Sequence, residues 1–368
     1  MRLFFEIIKI ISSIIHINIK NIFAKFQNKN NYFFYHPREN LTLIHTYYTE
    51  DIFSLDKRYS IIYGHKLNKN LGANYFYIRE NYLKFIFFVD IFISNNVCDK
   101  FTFKSKKIYI HHNIYDAPLV DSTKEKKLCE RLFQYDFIFL PNKNSVEMMK
   151  TLLNKYKSEK LVKMPHLKNV GYAKLDFLES KIRNIKTAKN SILIAPTNFY
   201  GFPKFTLINE LKIIIENLLK KTNLNIILRP HPSNREDEKI IELKKIFKNE
   251  KNFSLDFSEN YLETYSRSKI LITDLSATAY TYSFLTFCPV IFYSKMLVED
   301  HHKNLNYFKN RNKIGVMAEN IYELEQSIEL LINSPDRLID SIKEIKKEIV
   351  YIGKAKEKIH TEIDLILN

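Results

Sequence analysis

The 368-residue sequence has no tryptophan, only three cysteines, and no N-terminal apolar run that stays free of charge for the depth of a bilayer. Cys98, Cys129 and Cys288 form no C-x-x-C pair and have no cluster of histidines beside them. That argues against a disulfide framework and a zinc site, and it fits a reducing cytosol. The longest charge-free N-terminal piece, Ile10 to Ile19, falls well short of the roughly 20 residues a spanning helix needs. No small-residue cleavage site follows it, so a secretory signal is also a poor fit. Internal repeats and nucleic-acid motifs are missing too. The 23 tyrosines and 28 phenylalanines sit mostly in apolar runs, not interleaved with a basic patch, and no nucleic-acid partner is expected.

What is present is base. Lys and Arg number 57 against 41 Asp and Glu, a formal net charge of +16. Such a balance suits anionic partners: nucleotides, phosphorylated polymers or an acidic membrane surface. The abundance of Asn, Lys and Ile reads as the imprint of an AT-rich genome, which inflates Lys and weakens the charge argument. A hydrophobic fraction of 45% over this length supports two cores, hence two domains.

Phe4, Ile7, Ile8, Ile11, Ile14 and Ile15 recur at helical spacing, with Arg2, Lys9, Lys20 and Lys25 in or beside the run. Residues 1–30 are therefore expected to form an amphipathic helix, packed on the body of the protein or lying on anionic lipid. From residue 31 short β-type runs alternate with helices: Tyr32–Tyr35, Leu41–Tyr48, Tyr59–Tyr63, Tyr75–Ile78, Phe85–Ile93, Lys107–Ile110 and Phe137–Leu140. The pattern predicts a mostly parallel sheet covered on both faces. The stretch Ile182 to Asn190 is rich in Lys and Asn, has no apolar period, and reads as a linker. The expected units are 31–185, 186–345 and a C-terminal helical segment 346–368, with Asp336–Ile352 helical.

In the second half three strand-like runs end in polar groups: Ile192–Ala195 before Thr197, Ile226–Leu228 before Arg229-Pro230-His231-Pro232, and Ile270–Thr273 before Asp274-Leu275-Ser276. Ligands of open α/β sheets bind beyond the carboxyl ends of strands. A helix beginning near Ser276 would offer free N–H groups to phosphate. Asp274 and Ser276 could equally be plain helix caps. Taken together, the three ends favour a nucleotide-diphosphate site made of Thr197, Arg229, His231, Asp274, Ser276 and Thr278.

These pieces resemble the CDP-glycerol glycerophosphotransferase family of teichoic acid and capsule synthesis. Gly171-Tyr172-Ala173-Lys174-Leu175-Asp176 stands for its Gly-Tyr-Pro-Arg-x-Asp, and Ile194-Ala195-Pro196-Thr197 for its Tyr-Ala-Pro-Thr. Arg229-Pro230-His231-Pro232 matches Arg-x-His-Pro, Thr273-Asp274-Leu275-Ser276 matches Thr-Asp-Tyr-Ser, and Pro289-Val290-Ile291-Phe292-Tyr293 matches Pro-Ile-Ile-Phe-Tyr. The family's Trp-His-Gly falls on His111-His112-Asn113, and its second Ser on Ala277. The resemblance implies an α/β, GT-B-like fold, two Rossmann-like domains facing each other across a cleft. It implies a transferase that moves a glycerophosphate-like group from a CDP-linked donor to a polysaccharide or lipid-linked acceptor, with no cofactor and no obligatory metal. His112 is then the candidate general base, with His111 as alternate and Asp116 as a group that could orient the imidazole. His231 is a catalytic and phosphate-stabilising group. The protein would work in the cytoplasm, peripheral on the inner face of the membrane. Rival readings are a GT-B glycosyltransferase using a nucleotide sugar and a non-catalytic nucleotide- or polymer-binding protein.

Overall fold

The computed structural model of the chain describes residues 2–36, 48, 51–53, 59–64, 75–115, 122–157, 162–200, 203, 206–258, 260–294 and 306–367. Helix α1 (Arg2–Phe26) precedes strands β1 (Tyr32–His36), β2 (Tyr59–Tyr63) and β3 (Tyr75–Tyr77). A 3-10 helix (Glu80–Phe85) leads to β4 (Ile91–Ser94) and β5 (Lys106–Ile110). Then come α2 (Ser122–Leu132), β6 (Phe137–Leu140), α3 (Lys143–Lys157), β7 (His166–Asn169) and α4 (Ala173–Ile182). The second half runs β8 (Ser191–Ile194), α5 (Leu211–Lys221), β9 (Asn225–Leu228), α6 (Glu238–Ile246), β10 (Phe253–Leu255) and α7 (Leu262–Arg267). It continues with β11 (Ser268–Thr273), α8 (Thr278–Thr286), β12 (Val290–Tyr293), α9 (Asn306–Lys309), α10 (Arg311–Ile314) and β13 (Gly315–Ala318). The chain closes with α11 (Ile321–Asn333), α12 (Ile339–Lys346) and α13 (Ala355–Leu367).

The strands form a seven-stranded sheet, β3-β2-β1-β4-β5-β6-β7, and a six-stranded sheet, β10-β9-β8-β11-β12-β13. Every pairing is parallel. Parallel strands need crossovers, and the helices that supply them cover both faces. That is why β8 and β12 are buried along their whole length and read as unbroken apolar runs. In each sheet the strand order reverses once, between β1 and β4 and between β8 and β11. The crevice beyond the carboxyl ends at such a point is where this architecture takes ligands.

Several local expectations change. Phe85–Ile93 was expected as one strand, but only Ile91–Ser94 is β, and Glu80–Phe85 is a 3-10 helix. A continuous apolar run does not specify a strand when its side chains face solvent, and Phe85, Phe87 and Phe88 are exposed. Asp336–Ile352 shortens to α12, after which the chain turns at Gly353 and returns as α13 to the first sheet. There α13 buries Ile359 and Ile363 beside Phe34 and Ile108, and Lys168 pairs with Glu362 at 3.1 Å. Strands β7, β10 and β13 lie outside the expected list; β7 and β10 are sheet-edge strands that are only partly buried, β10 is three residues long, and β7, His-Leu-Lys-Asn, lacks an apolar signature. The expected strand Leu41–Tyr48 and the Asp116 role lie outside the described residues, apart from Tyr48.

Helix α1 does two things at once. Ile10, Ile17 and Asn21 are buried against the face of the first sheet, with Lys20 Nζ donating to Ser60 Oγ at 2.9 Å. The opposite face leaves Phe4, Phe5, Ile8, Ile11, Ile15, Ile19, Ile22, Phe23 and Phe26 exposed.

Candidate active site

The second sheet brings Thr197, Arg229, His231, Asp274, Ser276 and Thr278 to the carboxyl ends of β8, β9 and β11. Their loops are stitched together by side chains. Asp274 is fully buried; its Oδ1 accepts the Thr197 N–H at 2.9 Å and the Leu275 N–H at 2.7 Å, and Oδ2 accepts the Leu207 N–H at 3.0 Å. Burial pushes its carboxyl up to about 6, against the pull of those amides. Asn234 Oδ1 accepts the Phe199 N–H at 3.1 Å, joining the loops after β8 and β9. Arg229 is also buried. Its Nη1 meets Asp256 Oδ2 at 2.6 Å and Ser258 Oγ at 3.1 Å, and Nη2 donates to the Ser258 carbonyl at 2.8 Å. Burial raises the Asp256 carboxyl, but the Ser258 and Thr264 hydroxyls and Arg229 outweigh it and hold it below its usual range. Asp274 and Arg229 thus brace the loops, since the groups they bond belong to the protein itself.

His231 is different. Its Nδ1 accepts the Ser233 N–H at 3.2 Å, so a neutral ring carries its proton on Nε2. Burial, with Arg235 adding to it, lowers its pKa to about 4. At neutral pH it is an uncharged donor. Ser276 Oγ accepts the Thr278 N–H at 3.3 Å, and Thr278 begins α8, so both stand at the helix N-terminus where the backbone dipole favours an anion.

In the first half His111 and His112 follow β5. His111 is buried and its Nδ1 lies 2.8 Å from the Asn113 carbonyl, which requires an Nδ1–H and leaves Nε2 with the lone pair. His112 is half-buried, its Nδ1 a long 3.5 Å from the Tyr109 hydroxyl, and the two rings stack at 6.0 Å. The Tyr172 hydroxyl donates to the His112 carbonyl at 2.8 Å. Tyr172 shares one buried cluster with Ile114, Tyr115 and Tyr261, and the Arg229 guanidinium lies over the Tyr261 ring at 5.6 Å. Further along the seam, Tyr115 and Asn144 both donate to Glu348 Oε2, at 2.5 and 2.8 Å. The two halves therefore meet at the histidine loop.

Two residues in this region were not singled out from the sequence. Lys174, on the second residue of α4, is 6% exposed and has no hydrogen-bond or ion-pair partner among the described residues; burial lowers its pKa to about 7. Its signal was its place in the Gly171–Asp176 motif, where it stands for the family's Arg. Arg311 is buried between Phe292 and Phe308, each at 4.6 Å, and Nη2 donates to the Asp274 carbonyl at 3.2 Å. Nothing in its local sequence points to that position.

The family model of the CDP-Glycerol:Poly(glycerophosphate) glycerophosphotransferases matches residues 38–363. The chain belongs to this family. It is accordingly a transferase of the glycerophosphotransferase type, and the nucleotide-sugar and non-catalytic alternatives are not favoured. No curated protein matches the sequence. Among solved structures, the wall teichoic acid polymerase TagF, as a histidine variant with CDPG, is 19% identical with a TM-score of 0.60, covering 92% of this chain and 89% of that one. A further TagF structure is 18% identical with a TM-score of 0.60, covering 95% and 97%. S. aureus MnaA, solved with UDP, is 14% identical with a TM-score of 0.63, covering 92% and 97%. At these identities the likeness concerns the fold, which is the GT-B-like pair of sheets expected from the sequence.

Proposed function

We propose that this family member transfers a glycerophosphate-like group from a CDP-linked donor to a lipid-linked, teichoic-acid-like or polysaccharide acceptor at the cytoplasmic face of the membrane. The observation that carries the reading is the Tyr172–His112 bond, which ties the histidine loop to the cluster beneath Arg229 and so joins an acceptor side to a donor side. Residues 31–185 are read as the acceptor unit and 186–345 as the donor unit. TagF, a teichoic acid polymerase solved with CDPG, supports the choice of donor and polymer class.

The donor pyrophosphate is assigned to the loops after β8, β9 and β11. There the N-terminus of α8, Thr197, Ser276, Thr278 and the His231 Nε2–H supply donors already in place, so little reorganisation accompanies charge build-up on the phosphates. Asp274 and Arg229 hold those donors in position. An acceptor hydroxyl attacks the phosphorus that bears glycerol, and a new acceptor O–P bond forms. The bond from that phosphorus to the bridging oxygen breaks, and CMP departs with the oxygen and its electron pair. The hydroxyl proton passes to His112, the more exposed of the two imidazoles, while His111 keeps the turn through Asn113. The role needs the His112 tautomer that carries its proton on Nδ1, toward the Tyr109 hydroxyl, so that Nε2 is the base.

The exposed apolar stripe of α1 supports the membrane part of the reading. Its buried opposite face and mid-helix polar contacts suit a helix lying flat, since a spanning helix would have to leave the sheet. Donor use is the test: His231→Ala and Arg229→Ala should each reduce it by at least about tenfold, roughly 1.4 kcal/mol of transition-state stabilisation. Unchanged kinetics in both folded variants would remove the site from the account.

A further inference from the structure

The segment Phe85-Ile86-Phe87-Phe88 is apolar without being a strand. Ile86 is buried, while Phe85, Phe87 and Phe88 are 46%, 39% and 52% exposed. Phe103, on the loop before β5, is 51% exposed and meets Phe87 edge-on at 5.6 Å. Two residues hold these loops in the left-handed region that bulky side chains avoid, Phe88 at φ 59° and Lys104 at φ 55°. Backbone in that region persists only where its surroundings impose it.

Around Phe85–Phe88 the surroundings are asparagines. Asn18 Nδ2 donates to the Phe85 carbonyl at 2.9 Å and its Oδ1 accepts the Phe87 N–H at 2.9 Å. Asn21 Nδ2 donates to the Phe87 carbonyl at 2.8 Å, and Asn31 Nδ2 to the Phe88 carbonyl at 3.0 Å. An irregular loop can enter apolar surroundings only when its backbone groups are satisfied within the protein, and these four are. Asn18 stands three residues after Ile15 and four before Ile22, so the clamp sits directly beside the exposed stripe of α1. Lys84 Nζ lies 5.1 Å from the centre of the Phe85 ring and Lys104 Nζ 5.3 Å from that of Phe103. Apolar rings with cations at their rim match a surface that is hydrocarbon below and phosphate above.

We infer that the loops carrying Phe87 and Phe103 form a second lipid-inserting element, which enters an anionic bilayer beside α1 and sets the roll of the protein about that helix. This rests on the reading that α1 lies on lipid. A lone interfacial helix leaves rotation about its own axis free, and a second contact along one flank removes that freedom. The loops precede β4 and β5, whereas His111 and His112 follow β5, so fixing the roll also fixes how the histidine end of the sheet faces the lipid-linked acceptor.

Because the sequence has no tryptophan, a Phe87→Trp variant of the full chain carries one indole that reports on this loop alone. With vesicles of phosphatidylglycerol and phosphatidylcholine brominated on the acyl chains, its emission should shift to the blue and lose more than about half its intensity. Vesicles that float with the protein while the indole stays unquenched would overturn the proposal. A Phe85→Ser/Phe87→Ser/Phe103→Ser variant should lower vesicle partitioning by about tenfold or more, with turnover on a soluble acceptor unchanged. An Ile11→Ser/Ile15→Ser/Ile19→Ser variant separates the two readings. Loss of binding in both variants supports the pair of contacts. Loss only in the isoleucine variant refutes the loop and leaves α1 standing, and loss in neither refutes both.

Discussion

Lys174→Met should make the protein more stable and less active. Lys174 is 6% exposed and its ammonium has no partner among the described residues, and burial brings its pKa from 10.5 to about 7. A shift of that size corresponds to about 5 kcal/mol of disfavoured charge, and at pH 7, where half the folded molecules are protonated, roughly 4 kcal/mol of that is felt. The folded pKa is lowered, so between pH 7 and 10.5 the unfolded chain binds more protons and stability rises with pH; below about pH 7 the full cost is present. Methionine keeps the stem and drops the charge. Chemical denaturation at pH 7 should therefore give a variant several kcal/mol more stable, and the difference should shrink as pH rises toward 10. Turnover should fall, because a buried cation kept at such a cost two residues after Tyr172, whose hydroxyl holds the histidine loop, fits an anionic ligand. If Lys174→Met is less stable than the parent at pH 7, the ammonium is solvated or paired and the reasoning fails.

Other outcomes follow from the same geometry. His112→Ala should reduce turnover by roughly 10² or more with nearly unchanged nucleotide affinity; if His111→Ala does so instead, the base is the buried ring with its lone pair on Nε2. Because His231 is neutral down to about pH 4, donor affinity should stay flat between about pH 5 and 8, and affinity that strengthens toward acid pH would mean that an imidazolium binds. Gly171→Ala should destabilise by about 2 kcal/mol or more in thermal unfolding, since Gly171 has φ +82° and a Cβ there would meet the Val350 carbonyl at 2.7 Å. Asp274→Asn should weaken donor binding, because an amide cannot accept the Thr197, Leu275 and Leu207 N–H groups together. Equal donor affinity in that variant would show that the loops after β8 and β11 hold without it.

The strand ends were legible in the sequence because parallel strands buried on both faces leave apolar runs that stop at polar residues. Ile226–Leu228 before Arg229 is the plainest case. What a residue at such an end does was less legible. Asp274 reads as a cap or a ligand group, yet its carboxylate binds the Thr197 and Leu207 amides of the distant connection after β8, a choice made by tertiary contacts. The edge strand β7, His-Leu-Lys-Asn, carries no apolar signature and was not seen. Phe85–Phe88 misled in the opposite sense: its composition is that of a strand, and only the fold reveals that its rings point outward. Lys174 was visible as a motif position, while its isolation depends on how α4 packs into the seam.

The most direct test of the central claim is to incubate the purified protein with CDP-glycerol and a poly(glycerophosphate) acceptor while following both products. One CMP released for each glycerophosphate added, read by mass spectrometry of the acceptor, is the predicted result. Nucleotide bound without any gain in acceptor mass, or transfer of a sugar from a nucleotide sugar in place of glycerophosphate, would contradict it.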